Sequence, residues 1–260
     1  MSAFVIRELD DGILRLTLND PATRNSLSEK MIDELQAAIH EPAARVIILA
    51  SHGPAFSSGH NLKEITAHRA DADAGSAYFK NLFDKCAKLM LAITQLPCPV
   101  IAEVDGLASA AGCQLVASCD LAIATDRSLF CTPGVNIGLF CSTPMVALTR
   151  TVQRKHAMEM LLTGDTIPAA EALRMGLINR VATHNELKAV TQELAQKIAS
   201  KSAAAIRIGK QAFTAQAEMP TTDAYAFMAQ IMADNLLVND AKEGIEAFIQ
   251  KRHPKWEHSS

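Results

Sequence analysis

The chain opens with two runs in which apolar and polar residues alternate, 4–9 and 13–18, separated by Asp11-Gly12. Period-two alternation sets one face of a strand on a core, and Asp-Gly suits a two-residue hairpin turn, so a β-ribbon is predicted. Behind Ser26-Leu-Ser-Glu29, which reads as a capping box, Leu27, Met31, Leu35 and Ile39 recur every four residues. That spacing predicts a helix ending near His40. Val46 to Ala50 and Val100 to Val104 are short, unbroken apolar runs, the pattern of buried strands. Between them Phe79, Phe83, Cys86, Met90 and Ile93 mark one face of a helix that Pro97 and Pro99 bring to a stop.

Two more short strands are predicted around 121–124 and 129–131, leading into the loop Thr132-Pro-Gly-Val-Asn-Ile-Gly138. Thr143-Pro144 then caps and opens a helix. From Arg154 onward the pattern is almost wholly helical: Leu187, Val190, Leu194 and Ile198 form a stripe behind the candidate cap Asn185, and Thr221 and Asp240 are candidate caps of two further helices. The result is an α/β body over residues 1–200 and an all-helical region over 201–260. No low-complexity linker divides them, so the helical region is expected to pack on this body or on a neighbouring subunit.

Composition narrows the function more than the fold. With 260 residues, 49% of them hydrophobic, the chain can bury a sizeable core. Twenty-five basic against 28 acidic residues leave a formal charge of −3, so the overall field attracts neither nucleic acid nor an anionic membrane. An anionic ligand must be caught locally. The central charge-free stretch Gly106 to Cys119 is 14 residues, too short to span a bilayer. The first eleven residues lack a basic and then apolar leader pattern and carry Glu8, Asp10 and Asp11, from which a cytoplasmic protein is expected. The six cysteines form no Cys-x-x-Cys pair, so neither a metal site nor a disulfide framework is expected.

Common nucleotide and zinc-protease motifs are missing from the sequence. Ala55-Phe-Ser57-Ser-Gly59 falls one residue short of a nucleophile elbow, and no helix-forming pattern follows the serine at once. Two other segments each follow a buried strand and offer small residues: 56–63 and 105–114. If the second opens a helix, its first N–H groups are unpaired and the helix dipole adds positive potential. One N–H from the first segment would complete an oxyanion hole, whose individual donors are worth about 3 kcal/mol. The alternative from spacing alone is a turn followed by a tightly packed core helix.

The segments Ala22-Thr-Arg-Asn-Ser-Leu27, Phe56-Ser-Ser-Gly-His-Asn-Leu-Lys63, Asp105-Gly-Leu-Ala-Ser-Ala-Ala-Gly-Cys113, Leu162-Thr-Gly164 and Ala169-Ala-Glu-Ala172 with Gly176-Leu177 resemble, in order, the crotonase or enoyl-CoA hydratase/isomerase superfamily. The resemblance spans nearly the whole chain. It implies a spiral of strand-strand-helix (ββα) units that binds an acyl-CoA thioester, with coenzyme A entering as part of the substrate rather than as a resident cofactor. It also implies C-terminal helices that form a homotrimer, often doubled to a hexamer, and a role in acyl-CoA metabolism. Carried over by position, the thioester oxygen sits between the backbone N–H groups of His60 and Ala111. Arg24 matches a position near the CoA phosphates or adenine, and Ser58, His60, Asn61, Leu62 and Lys63 match the segment lining adenine and pantetheine. Lys251 and Lys255 either reach CoA phosphates, across a subunit boundary, or form a solvated basic end.

The departures from this pattern carry as much information. The family's hydratases use two glutamates twenty residues apart, and those positions here are Gln114 and Gly134. Glutamine has no titratable proton and glycine no side chain, so neither takes a proton from water or delivers one to the α-carbon. At about 10²–10⁴-fold per acid/base group, losing both removes roughly 10⁴–10⁸ of rate. Some superfamily members place a carboxylate eight residues beyond the second glutamate, which is Ser142 here, beside Cys141. Cys141 is then either a thiol activated by a helix start or a buried core cysteine. His60 offers the other titratable group, and a non-catalytic acyl-CoA scaffold is the further alternative.

Overall fold

The computed structural model describes residues 3–257. Asp11 and Gly12 both take positive φ, 42° and 73°, and join β1 (Val5–Asp10) to β2 (Ile13–Leu18) as the expected antiparallel hairpin. In α1 (Glu29–Ala38) the cap is Ser28, whose Oγ accepts from Met31 N–H at 3.2 Å. Ser26, the cap expected from sequence, instead donates to Thr23 Oγ1 at 2.9 Å, so the cap is shifted by two residues and the expected box is not formed.

The chain then repeats one unit three times: a buried strand, a turn of two or three residues, a short strand, and helix. The first unit is β3 (Val46–Ser51), β4 (Ala55–Ser57), α2 (Leu62–Ala67) and α3 (Ser76–Gln95). The second is β5 (Val100–Val104), β6 (Leu107–Ser109) and α4 (Ala111–Ser118). The third is β7 (Leu121–Thr125), β8 (Leu129–Cys131), a 3₁₀ turn at Pro133–Ile137, α5 (Ser142–Thr151) and α6 (Arg154–Thr163). Next come β9 (Ile167–Pro168), α7 (Ala169–Met175), β10 (Arg180–Ala182) and α8 (Leu187–Ala199), and last α9 (Ala203–Gln216), α10 (Thr221–Leu236) and α11 (Asn239–Ile249).

Each unit adds its first strand to one sheet and its second to another, which makes a spiral. The larger sheet has the order β1-β2-β3-β5-β7-β10, parallel except for the opening hairpin, and the smaller has the order β4-β6-β8-β9. Successive corners stack closely: a Cβ on Gly106, at φ 80°, would stand 2.4 Å from the Pro54 carbonyl oxygen. The central strands β3, β5 and β7 are nearly all apolar because both sheet faces are covered there. Ile47 and Leu49 join the main core with Leu14, Leu35, Met90 and Leu115, while Val46 and Ile48 face Ile13, Ile101 and Ile123 under Leu187, Ala195 and Ala199 of α8.

The helical region is bolted to this body by polar contacts. Lys210 Nζ of α9 donates to Ile93 O at 3.1 Å, to Cys98 O at 2.9 Å and to Asp120 Oδ2 at 2.7 Å. Ser202 Oγ caps α9 and donates to Asp240 Oδ2 at 2.6 Å, so the buried Asp240 ties α11 to α9 instead of capping a helix as expected. Asn185 and Thr221 are not caps either: the cap positions are Glu186 and Pro220, without side-chain bonds. Helix α5 begins one residue before Thr143, with Cys141 at its cap position. The buried face of α3 is Leu82, Cys86, Leu89, Met90 and Ile93, which leaves Phe83 exposed rather than in the core.

Candidate active site

Two glycines bring the ends of the small sheet and the start of α4 together. Gly59 has φ 85°, and a Cβ there would lie 2.9 Å from Ser109 O and 3.3 Å from Ala111 N. A Cβ on Gly112 would lie 2.3 Å from Ser57 O. Only residues without a side chain permit this approach. Ala110, with φ 49° and ψ −115°, turns β6 directly into α4 while its N–H holds Cys131 O at 2.9 Å. Such a backbone at a residue bearing a Cβ costs about 1–3 kcal/mol, which the surrounding contacts must offset.

This geometry leaves two amides for a ligand. Within α4 the first helical bond is Gln114 N–H to Ala110 O at 3.0 Å, so Ala111 N–H has no intrahelical acceptor. In the parallel bridge between Leu27 and His60, the bonded amide is Leu27 N–H to Gly59 O at 2.8 Å. Among the described residues neither the His60 nor the Ala111 N–H has an acceptor. The His60 ring lies edge-on to Phe83, with centroids 5.1 Å apart, and its Nδ1 is 3.2 Å from Leu27 O. A carbonyl only accepts, so Nδ1 carries the proton and Nε2 the lone pair. Nε2 is buried without a partner, and burial lowers the ring's pKa from 6.5, partly opposed by the Leu27 bond.

Ser57 is fully buried, its Oγ donating to Asn25 O at 2.8 Å and accepting from Gly59 N–H at 3.3 Å. The chain continues from it as loop, so the elbow geometry of a serine hydrolase is not formed. The same stretch carries the coenzyme-matching positions. Ser58 N–H donates to Arg24 O at 3.0 Å, and Ser58 Oγ donates to Thr23 O at 3.1 Å. Asn61 caps α2 by accepting from Lys63 and Glu64 N–H at 3.1 and 3.3 Å, while the Arg24, Leu62 and Lys63 side chains are exposed. Arg24 and Ser58 to Lys63 therefore form one continuous rim. Lys251 and Lys255 lie at and beyond the far end of α11, where Lys251 N–H bonds Phe248 O at 3.2 Å and Lys255 N–H bonds Glu243 Oε1 at 2.7 Å. Within one chain the structure does not bring them to the rim.

Gln114 is 4% exposed, and its Oε1 is buried with no partner. At Gly134 the space a side chain would need is taken: a Cβ would sit 3.0 Å from Cys141 Sγ, 3.0 Å from Leu139 O and 3.2 Å from Cys141 N. Cys141 is itself buried, and desolvation pushes its thiol up from 9.0 against a smaller opposing bond from Gly134 N–H. Burial therefore favours the core-cysteine alternative over the activated thiol. Ser142 is exposed, its Oγ donating to Phe140 O at 3.3 Å, with no base beside it among the described contacts. Sequence reasoning missed Thr132, whose buried Oγ1 also lacks a partner. It missed Asn25 as well, fully buried, whose Nδ2 donates to His52 O at 2.8 Å and Ala55 O at 2.9 Å. The only available signal was their place in the family-resembling segment 22–27 and in the loop 132–138. A cavity of about 400 Å³ lies well away from these groups, between α9, α10 and α11, lined by Met232, Leu236, Ile245, Phe248 and Trp256. That lining is predominantly apolar, unlike the glycine-joined loops.

Comparison with known proteins decides the family. The model of the enoyl-CoA hydratase/isomerase family matches residues 8–259. The chain belongs to that family. The enoyl-CoA hydratase domain-containing protein 3, mitochondrial, of Xenopus laevis is 51% identical over 258 residues, covering 98% of this chain and 86% of that protein. The crystal structure of the human enoyl-CoA hydratase domain-containing protein 3 superposes with a TM-score of 0.92 at 47% identity, over 97% of this chain and all of that one. An enoyl-CoA hydratase structure from Mycobacterium smegmatis gives 0.93 at 43% identity, over 98% and 99%. The spiral is thus the crotonase fold. The expected cytoplasmic location is overturned, because the vertebrate relatives at this level of identity carry mitochondrial in their names. Acidic residues in a short terminal stretch describe that stretch alone.

Proposed function

We propose that this enoyl-CoA hydratase-like chain binds acyl-CoA thioesters and polarises the thioester carbonyl between the N–H groups of His60 and Ala111, with hydration of an enoyl chain slow or carried by a non-standard group. The observation behind this reading is the pair of amides without acceptors, fixed side by side by Gly59 and Gly112. Two fixed donors in a water-poor site stabilise charge developing on the thioester oxygen as an enolate forms. Arg24 and Lys63 on the exposed rim supply positive charge for the coenzyme phosphates. Gln114 and Gly134 supply no proton transfer, and the packed, neutral Cys141 thiol does not replace it.

A homotrimer, alone or paired into a hexamer, is part of the same reading. Helix α10 buries none of its residues within the chain, and Tyr225, Leu237, Phe248 and Ile249 are each more than 70% exposed. Apolar faces of this extent mark subunit contacts. The testing experiment is a hydration assay with short and medium trans-2-enoyl-CoA, beside calorimetry with saturated acyl-CoA. Micromolar binding with turnover far below ordinary enzyme rates is expected; ordinary turnover would refute slow hydration, and no binding would refute the thioester site.

A further inference from the structure

We infer that Ser57 and Asn25 are positioning residues for thioester polarisation, their hydrogen-bond relay setting the direction of the His60 N–H so that the ligand carbonyl meets two donors instead of one. The inference rests on the thioester reading above and adds what orients one of its two donors. The segment 23–27 runs beside 57–60, and the two are tied at Thr23, Arg24, Asn25 and Leu27.

Arg24 and Asn25 are consecutive residues with positive φ, 58° and 53°, and neither is glycine. A Cβ makes that conformation unfavourable, and asparagine tolerates it best because its short side chain can bond nearby backbone. Asn25 does so with every polar atom it has. Its Nδ2 donates to His52 O at 2.8 Å and to Ala55 O at 2.9 Å, and its Oδ1 accepts from Asp20 N–H at 2.8 Å. The turn held in this way presents Asn25 O to Ser57 Oγ, which donates to it at 2.8 Å. The same hydroxyl accepts from Gly59 N–H at 3.3 Å.

Gly59 is therefore tethered on both sides. Its N–H is tied through Ser57 to Asn25 O, and its carbonyl accepts from Leu27 N–H at 2.8 Å. A trans peptide unit is planar with its N–H opposite its C=O, so the direction of Gly59 O sets that of the His60 N–H. With two tethers the unit is fixed; with the carbonyl tether alone it can pivot, and glycine at φ 85° offers no side chain to resist. Neither relay residue has capacity left for a ligand. Both are fully buried, both Asn25 Nδ2 hydrogens are used, and the Ser57 hydroxyl already donates and accepts. They act through His60 and do not touch the substrate.

The test is isothermal titration of the full chain with a saturated acyl-CoA and with the S-alkyl-CoA thioether of the same chain length, which lacks the carbonyl. Beside it, the infrared carbonyl stretch of bound acyl-CoA, isotope-labelled at the thioester carbon, reads polarisation directly. The unmodified protein is expected to bind the thioester about ten-fold more tightly than the thioether and to lower the stretch from its value in water. Ser57→Ala should bring that ratio to about two-fold or less and return most of the shift. Its thioether affinity should hold, because Ser58 N–H still bonds Arg24 O and Ser58 Oγ still bonds Thr23 O. Thr191→Val removes another fully buried hydroxyl, which bonds Leu187 O at 2.8 Å within α8, and should change neither readout. A Ser57→Ala protein that keeps either the ratio or the shift would overturn the inference and leave the hole standing, as would an equal loss in Thr191→Val. No preference for the thioester, or no shift, in the unmodified protein would overturn the thioester reading and this inference together. Should Ser57→Ala not fold, hydrogen exchange in the unmodified protein decides: Gly59 N–H is expected to exchange as slowly as Leu27 N–H, and exchange at the rate of an open loop would overturn the relay.

Discussion

In the proposed site the first turn of α4 and the position one turn further along it differ in what they are made of. At Ala111 the proposed hole is built of backbone, and the close approach there depends on Gly59 and Gly112, where a Cβ would stand 2.9 Å from Ser109 O and 2.3 Å from Ser57 O. At Gln114 and Gly134 the work would fall to side chains, and those side chains are an amide and a hydrogen atom. Stabilising an oxyanion needs oriented dipoles, which the fold supplies wherever the strands and helix meet. Moving protons needs particular atoms, which single substitutions remove. A fold can therefore keep the binding half of a mechanism after losing the other half, and each prediction below pushes on one side of that divide.

The largest expected effect is on proton transfer. Gln114→Glu with Gly134→Glu should raise hydration of an enoyl thioester, at about 10²–10⁴-fold per group restored, as measured by loss of the conjugated thioester absorbance. The structure adds a condition, because a Cβ at 134 would stand 3.0 Å from Cys141 Sγ. Adding Cys141→Ala to the pair should therefore give more activity than the pair alone. A triple variant no faster than the unmodified chain would show that the hole itself is misplaced, and the contrast between the two turns of α4 would fail.

The second effect is on the backbone half. Gly112→Ala places a methyl 2.3 Å from Ser57 O, so α4 must move away from β4. Overpacking of this kind costs about 1–3 kcal/mol, and the displaced amide should weaken acyl-CoA binding as well. Urea unfolding and calorimetry on the same preparation read both quantities. A stable variant with unchanged affinity would mean that the thioester oxygen is held elsewhere.

How much of this was legible beforehand depends on what each part is made of. The hairpin at Asp11-Gly12, the strand Val100–Val104 and the strand Leu129–Cys131 are local, and period and turn chemistry found them. Helix caps fared worse: the Ser26–Glu29 spacing favoured Ser26, but its hydroxyl bonds Thr23 Oγ1 three residues back and Ser28 caps the helix. Phe83 looked like core by spacing, but its ring is turned toward His60 on a neighbouring loop. The two hole loops were visible as glycine-containing segments after strands, whereas the occupation of the space at Gly134 by Cys141 is a contact across a loop that no spacing encodes. Thr132 was passed over because an unpaired hydroxyl can be recognised only once its surroundings are known.

Smaller effects come from His60, whose backbone belongs to the proposed hole and whose ring Nε2 is buried. Its pKa is lowered from 6.5, so the folded state binds fewer protons than the unfolded state just below that value. Stability should therefore fall as the pH drops from about 7 toward 5, by the linkage between proton uptake and unfolding. His60→Gln should flatten that part of the profile in urea titrations at pH 7 and pH 5.5. An unchanged slope would place the proton uptake on other groups and leave the ring without a role in the pH response.

The smallest effect should be at the rim. Arg24 is exposed, its backbone carbonyl held by Ser58 N–H at 3.0 Å, so under the proposed function its side chain would act on the coenzyme phosphates only through solvent-screened charge. Exposed ion pairs contribute about 0.2–1 kcal/mol, so Arg24→Ala should weaken acyl-CoA binding by at most about five-fold at low salt. At 0.5 M salt the Debye length falls to about 4 Å and the difference should nearly vanish. Lys251 sets the contrast, since a single chain does not bring it to the rim. Lys251→Ala should therefore weaken binding only at protein concentrations where subunits are assembled, and titrations above and below the dissociation midpoint from sedimentation would separate the two cations. A loss from Lys251→Ala in the monomer would mean that the C-terminal end reaches the coenzyme within one chain, and a loss from Arg24→Ala that survives high salt would mean a buried, direct contact in place of a screened one.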